Sequence, residues 1–220
     1  MAGEPRQLVL ALEHAESFAR EDFLRGPSNA AALETIERWP DWPDRLLALV
    51  GPEGSGKSHL ASIWAVESGA RSLAARWLTQ LDLPAAFATG ALVVEDLESG
   101  VDERALFHLI NLAREQTAYV LITARAAPTS LGVSIRDLAS RLRALPTVSL
   151  AAPDDALLRA LVVKLAADRQ LTIDDALASY IADRIERSFA AARAAVARLD
   201  EEAMRRKRPV TRALAAELFR

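Results

Sequence analysis

Residues 51–58 read Gly51-Pro52-Glu53-Gly54-Ser55-Gly56-Lys57-Ser58, which meets every fixed position of the pattern G-x-x-x-x-G-K-[ST]. The flanks narrow the fold further. Upstream, Leu46-Leu47-Ala48-Leu49-Val50 is a short unbroken apolar run, the composition of a parallel strand buried on both faces. Downstream, Leu60, Ile63 and Trp64 share one face of a helix that ends near Gly69. Strand, glycine-rich turn and helix in that order make a phosphate cradle. Glycines let the backbone come close to an anion, and the helix start turns unpaired N–H groups toward it. In that geometry Lys57 reaches outer phosphates and the Ser58 hydroxyl can ligate magnesium. Gly51, Pro52, Glu53, Gly54, Ser55, Gly56, Lys57, Ser58 and the adjoining His59 are therefore the nucleotide-binding candidates.

The 220-residue length suits one large domain, or a domain with a small appendage, and 51% hydrophobic residues can fill a core. A net charge of −3 gives no general argument for nucleic-acid or membrane binding. Without cysteine there are no disulfides and no thiolate metal sites, which suits a reducing interior. The apolar-leaning stretch within Met1–Glu13 is too short for a signal sequence or a membrane span. The composition reads as a cytoplasmic, soluble protein.

Taken in order, Gln7-Leu8-Val9-Leu10-Ala11-Leu12 alternates apolar positions and fits an edge strand or a short helix, or else an exposed peptide for another protein's groove. Gly26-Pro27-Ser28-Asn29 then precedes a helical run with Leu33, Ile36 and Trp39, where Ser28 or Asn29 is the expected N-cap. Pro40 and Pro43 close that helix. Strands are expected at Arg71–Leu78 (weakly patterned), Ala91–Asp96, Tyr119–Thr123 and Thr147–Leu150, with a helix over Glu103–Arg114 whose Leu106, Phe107, Ile110 and Leu112 point mostly inward. Alternating strands and helices predict an α/β fold with a parallel sheet of five strands covered by helices. Beyond Ala151 no strand pattern remains. Helices starting at Asp154-Asp155 and over Asp174–Arg187, Ser188–Met204 and Thr211–Phe219 form a small all-α subdomain. The expected division is 1–14, 15–152 and 153–220. The basic run Arg205-Arg206-Lys207-Arg208 falls in a turn before the last helix and reads as a solvated face.

Four further positions carry chemistry. Glu95 and Asp96 end the strand expected beside the phosphate loop, at the carboxyl ends of the strands where α/β ligands bind. One carboxylate, Glu95, would hold magnesium while the other polarises a water. Thr123 ends the next strong strand, either as a hydrogen-bonding partner of water or phosphate or as a strand cap. Arg141 is by default a surface cation and Arg193 an ion-pairing partner across the domain interface, but each also has a position from which it can approach a nucleotide, Arg141 a neighbour's and Arg193 its own.

Together these stretches resemble the AAA+ ATPases, and within them the DnaA family with its shorter Hda-type inactivators. The resemblance spans nearly the whole chain. Phe23-Leu24-Arg25-Gly26-Pro27-Ser28-Asn29 is similar to the family segment that lies against the nucleotide base. Asp137-Leu138-Ala139-Ser140-Arg141-Leu142 resembles the Hda segment that carries an arginine finger, and Gln7–Leu12 resembles the sliding-clamp-binding peptide. The resemblance implies bound ADP or ATP with Mg2+, held also by Phe23 and a lid arginine. The DnaA register puts that arginine at Ala190; the general AAA+ register gives Arg193, the preferred choice. It further implies docking on the DNA polymerase III sliding clamp (beta subunit) through Gln7, Leu8, Leu10 and Leu12, with DNA contacted indirectly through the clamp. Arg141 would then promote hydrolysis of the ATP held by DnaA, lowering replication initiation. The chain stops at Arg220, just after the lid, without the DNA-reading module of the initiators, which points to the inactivator.

Two departures stand out: Ala11 where such peptides often have proline, and Glu95 where aspartate is usual. Both fit a protein whose own nucleotide is largely structural while its catalytic contribution is given in trans; a homodimer is a possible assembly. The rival is a stand-alone AAA+ ATPase that loads a helicase or handles single-stranded DNA. It would call for a basic channel with interleaved aromatics, and the chain has 5% aromatic residues. A small-molecule kinase would leave the Arg141 segment unexplained.

Overall fold

The computed structural model describes residues 19–219. The expected clamp peptide Gln7–Leu12 lies outside them. The five strands are β1 (Leu46–Val50), β2 (Arg71–Ala74), β3 (Ala91–Leu97), β4 (Tyr119–Ala124) and β5 (Thr147–Ser149). All pair in parallel in the order β2-β3-β4-β1-β5, the five-stranded sheet that the alternation predicts. Interleaved with the strands are helices α1 (Ala30–Glu37), α2 (Lys57–Ser68), α3 (Leu83–Ala86), α4 (Glu103–Glu115) and α5 (Arg136–Ala144).

Because strand side chains alternate between faces, β1 feeds two cores at once. Leu47 and Leu49 pack with α1 and α2, while Leu46, Ala48 and Val50 pack with α3, α4 and α5. Every residue of β1 is buried, as a central strand covered on both sides requires. On the α2 face Trp64 is fully enclosed, stacked on Trp42 at 5.0 Å and meeting Trp39 edge-on at 6.5 Å.

The remaining residues fold into α6 (Asp155–Asp168), α7 (Asp175–Ala182), α8 (Phe189–Arg206) and α9 (Arg212–Leu218), which share a core of their own. Each of the four starts where a short polar side chain accepts a backbone N–H three residues on: Asp154 from Leu157, Asp174 from Leu177, Ser188 from Ala191 and Thr211 from Leu214.

Several expectations are corrected. The carboxylate strand β3 is not beside the phosphate-loop strand; β4 separates them, because strand order follows how whole helix and sheet faces match rather than any local pattern. The second strand stops at Ala74 and gives way to a 3-10 segment, Ala75–Gln80, that buries Ala75 and Leu78 at a spacing of three. In α4 the buried line is Leu106, Leu109, Ile110 and Ala113, the helical period, which leaves Phe107 and Leu112 half-exposed. The helix expected to reach Arg187 ends at Ala182, and α8 starts afresh after Ser188. Asn29 occupies the N-cap of α1 without capping it. Its amide is spent on the preceding turn, with Oδ1 accepting from Gly26 N and Nδ2 donating to Leu24 O. Arg205 and Arg206 are the last turn of α8, not a separate turn, and both pair with Glu202, Arg206 also with Glu217.

Trp64→Ala empties the centre of the α1–α2 face. It is expected to cost about 3–5 kcal/mol of folding stability, read from urea unfolding followed by circular dichroism.

Candidate functional site

The site is built where β1 runs out. Gly51 N–H donates to Ala124 O at 3.1 Å and Leu150 N–H to Val50 O at 2.7 Å, so the loop leaves the sheet clamped between β4 and the end of β5. A side chain at Gly51 would sit 2.5 Å from the backbone oxygen of Leu150, which is why the first position is glycine. At Gly54 the backbone is left-handed (φ +69) and a Cβ would lie 2.6 Å from that of Ser188. Gly56 then turns the chain into α2, whose first residue is Lys57.

Lys57 is 7% exposed and donates from Nζ to the carbonyls of Gly51 and Pro52, both at 2.8 Å. Burial holds its pKa below the usual lysine value; Asp96 and Glu53 oppose that shift and Arg125 adds to it. Asp96 is thus the carboxylate whose field leads at this ammonium. Inside the same turn Ser55 is buried with its hydroxyl unpartnered. Ser58, on the first turn of α2, faces solvent. An enclosed cation, an orphaned hydroxyl and a helix start converge on one small volume, and that donor set fits a polyphosphate.

The subdomain of α6–α9 is fastened to this loop. Phe189 N–H, the first of α8, donates to Gly54 O at 2.9 Å. The Phe189 ring lies nearly parallel to that of Phe23, 17° apart with centroids at 6.5 Å, and both rings border Gly56. His59 meets Phe23 edge-on at 5.2 Å, and its Nε2 lies 2.9 Å from Ala19 O. A carbonyl only accepts, so that nitrogen carries the proton. Burial pulls the His59 pKa below its usual value despite the Ala19 carbonyl and Asp22, and Arg193 of α8 is close enough to lower it further. Phe23, the loop, His59 and Arg193 are therefore brought together.

At the carboxyl end of the central strand β4, Thr123 is fully buried, and its Oγ1 accepts the Asp96 N–H at 3.0 Å. Asp96 sits at φ +56, and the β3–β4 register shifts between Val94 and Leu97. This bulge turns the Asp96 side chain out to solvent, while Glu95, paired across to Ala74, is half-buried. Two residues past Thr123, Arg125 Nη2 pairs with Glu53 Oε2 at 3.0 Å. Sequence reading passed over both Arg125 and Phe189. The first lies just beyond a buried strand at its carboxyl end, a position that marks ligand contacts; the second carries no local signal.

Arg141 is not part of this cluster. It lies on α5, which packs through Leu138 and Leu142 on the sheet face opposite α2, and its half-buried guanidinium is 5.1 Å from the Phe107 ring centre. The start of α5 is held by Glu103, whose carboxylate accepts from Ser134 N and Ile135 N, each at 2.8 Å. Those bonds keep the Glu103 pKa below the usual range. Gln7, Leu8, Leu10 and Leu12 lie outside the described residues.

No family model matches the chain, and no curated protein does. Solved structures do. Domain III of the replication initiation protein DnaA from Thermotoga maritima superposes with a TM-score of 0.75 at 20% identity, over 91% of this chain and 95% of that one. The fold is shared with that domain: a five-stranded parallel sheet flanked by helices, followed by a helical subdomain. AMPPCP-bound DnaA from Aquifex aeolicus follows at TM-score 0.68 and 17% identity, over 86% of this chain and 69% of that one. The Thermotoga maritima RuvB Holliday junction branch migration motor superposes at 0.69 and 20%, over 91% and 70%. Among the described residues no helix is long and apolar enough to cross a membrane, and no cluster of three or more metal-ligating side chains occurs. A magnesium ion in this site would take ligands from phosphate oxygens and water, with Ser58 and a β3 carboxylate supplying the protein share.

Two consequences are measurable. Thr123→Val strands the Asp96 N–H and is expected to cost about 1–3 kcal/mol, whereas Thr123→Ser retains the acceptor; urea unfolding of the two separates the hydroxyl from the methyl. Glu103 contributes stability above the ordinary carboxylate pKa, and that contribution is lost as pH falls through its depressed folded value. Glu103→Gln should thus lower the melting temperature at pH 7, with the gap to the parent closing in acid.

Proposed function

We propose that this chain is a nucleotide-binding regulator of replication initiation, of the Hda type, acting on a DnaA-family ATPase. ADP or ATP would lie with its phosphates against Lys57 and the first turn of α2, its base near Phe23, and Arg193 over it from α8. Bound Mg2+ would neutralise phosphate charge. The chain's own residues position the nucleotide and exclude water, and the lid hooked onto Gly54 steadies the assembly. Gln7, Leu8, Leu10 and Leu12 would engage the sliding clamp on DNA, and Arg141 would be offered to the ATP of DnaA.

One observation carries the reading: Arg141 stands on the α4–α5 face of the sheet, away from the α2 face that holds its own Lys57. A cation so placed serves a neighbour's nucleotide better than its own. Phe107 supports it without neutralising it, and Glu103 fixes the helix it rides on. Likeness to DnaA and to the AMPPCP-bound form agrees with a nucleotide role near the replication machinery. The RuvB likeness favours the second reading, an ATPase working directly on DNA.

The decisive experiment is ATP hydrolysis by DnaA with clamp loaded on DNA. Wild-type chain should accelerate it, Arg141→Ala should forfeit roughly 10³-fold of the assisted rate, and Gln7→Ala with Leu8→Ala should lose clamp in a pulldown. Undiminished acceleration by a folded Arg141→Ala protein would refute the assignment. Salt-sensitive binding to single-stranded DNA without clamp would favour the second reading.

A further inference from the structure

The loop at Gly51–Ser58 also carries a pair of opposite charges at its mouth, Arg125 and Glu53. Arg125 follows Ala124, whose carbonyl clasps Gly51 N–H at 3.1 Å, so its backbone borders the mouth of the loop. Its guanidinium reaches back to Glu53 at 3.0 Å, and Glu53 adjoins Pro52, one of the two carbonyls holding the Lys57 ammonium. Arg125 is thus a second cation at the loop, paired with an anion that the loop itself provides. The pair is open to water, with side chains 61% and 77% exposed, and an exposed pair of this kind is weak and screened by salt. A phosphate chain seated against Lys57 would bring several negative charges beside Glu53 and in front of Arg125. Glu53 would then be repelled and Arg125 attracted by the same ligand.

We propose that Arg125 is a second phosphate-binding cation of this site, held on Glu53 until a nucleoside di- or triphosphate enters the loop and takes the guanidinium from it. No covalent step is involved; one carboxylate partner is exchanged for a phosphate partner. The exchange makes Glu53 a brake on affinity rather than a ligand, and it ties binding strength to the number of phosphates, since a monophosphate lacks the outer groups.

The proposal rests on the nucleotide reading and is tested apart from it. Purified full-length chain is titrated with fluorescent N-methylanthraniloyl derivatives of ATP, ADP and AMP, and with Lys57→Ala as the reference for loss of the site. Arg125→Ala should weaken ATP binding roughly 10-fold or more and leave AMP unaffected, with Arg125→Lys falling between. Glu53→Gln should tighten ATP binding, and the gain should vanish when combined with Arg125→Ala. Melting temperatures without nucleotide should barely move, since the exposed pair adds little to folding. If Lys57→Ala abolishes binding while Arg125→Ala changes it by less than about twofold, the exchange is wrong and the site stands. If the wild-type chain binds none of the three nucleotides, both fail. Should Arg125→Ala not fold, Glu53→Gln decides alone, and no gain in affinity overturns the proposal.

Discussion

The enclosure of one ammonium group organises this molecule. Lys57 is almost fully buried at the first turn of a helix, a place where a positive charge is poorly solvated and faces the positive end of the helix dipole. It is tolerated because two loop carbonyls accept from it and Asp96 supplies a compensating field. Those partners exist only because β1 delivers Gly51 at the carboxyl end of the sheet and Gly54 and Gly56 bend the chain where other residues would clash or strain. The buried charge, in turn, gives the loop an affinity for anions before any anion arrives.

Around that charge the fold arranges three layers of control. Thr123 reaches across from β4 to hold the bulge that presents Asp96, so the strand between the loop and the carboxylate also positions the carboxylate. The lid is fastened at its first amide to Gly54, and Phe23 and Phe189 close over Gly56 from two different parts of the chain. Arg125 and Glu53 add a pair of opposite charges at the rim. An anion entering the loop would meet an ammonium already held in place by two carbonyls, which limits the reorganisation that binding requires.

Much of the architecture was legible because it rests on local rules. The unbroken apolar run of β1 marks a strand covered on both faces, and Asp154, Asp174, Ser188 and Thr211 announce helix starts by the chemistry of their side chains. The errors fall where a tertiary partner outbid local pattern. Asn29 is spent on the turn before its helix, Ala75 and Leu78 adopt a three-residue spacing to sit under β3, and Phe107 is left half-exposed on α4. In the site, the loop and its glycines could be read from their spacing and Arg125 only from its place just past a buried strand, while Phe189 carries no local signal and acquires meaning only from what it touches.

By itself, then, the chain's sequence determines that a strand, a glycine turn and a helix meet to form an anion cradle, that a parallel sheet surrounds it, and that a helical subdomain follows. These are consequences of residue periodicity, backbone freedom and capping, all of which act over a few residues. Tertiary structure alone decides that β4 rather than β3 borders the loop, that Asp96 and not Glu95 leads at Lys57, and that Arg141 stands on the opposite face from it. Those outcomes depend on which faces of distant segments pack together, and no short window of sequence contains that information.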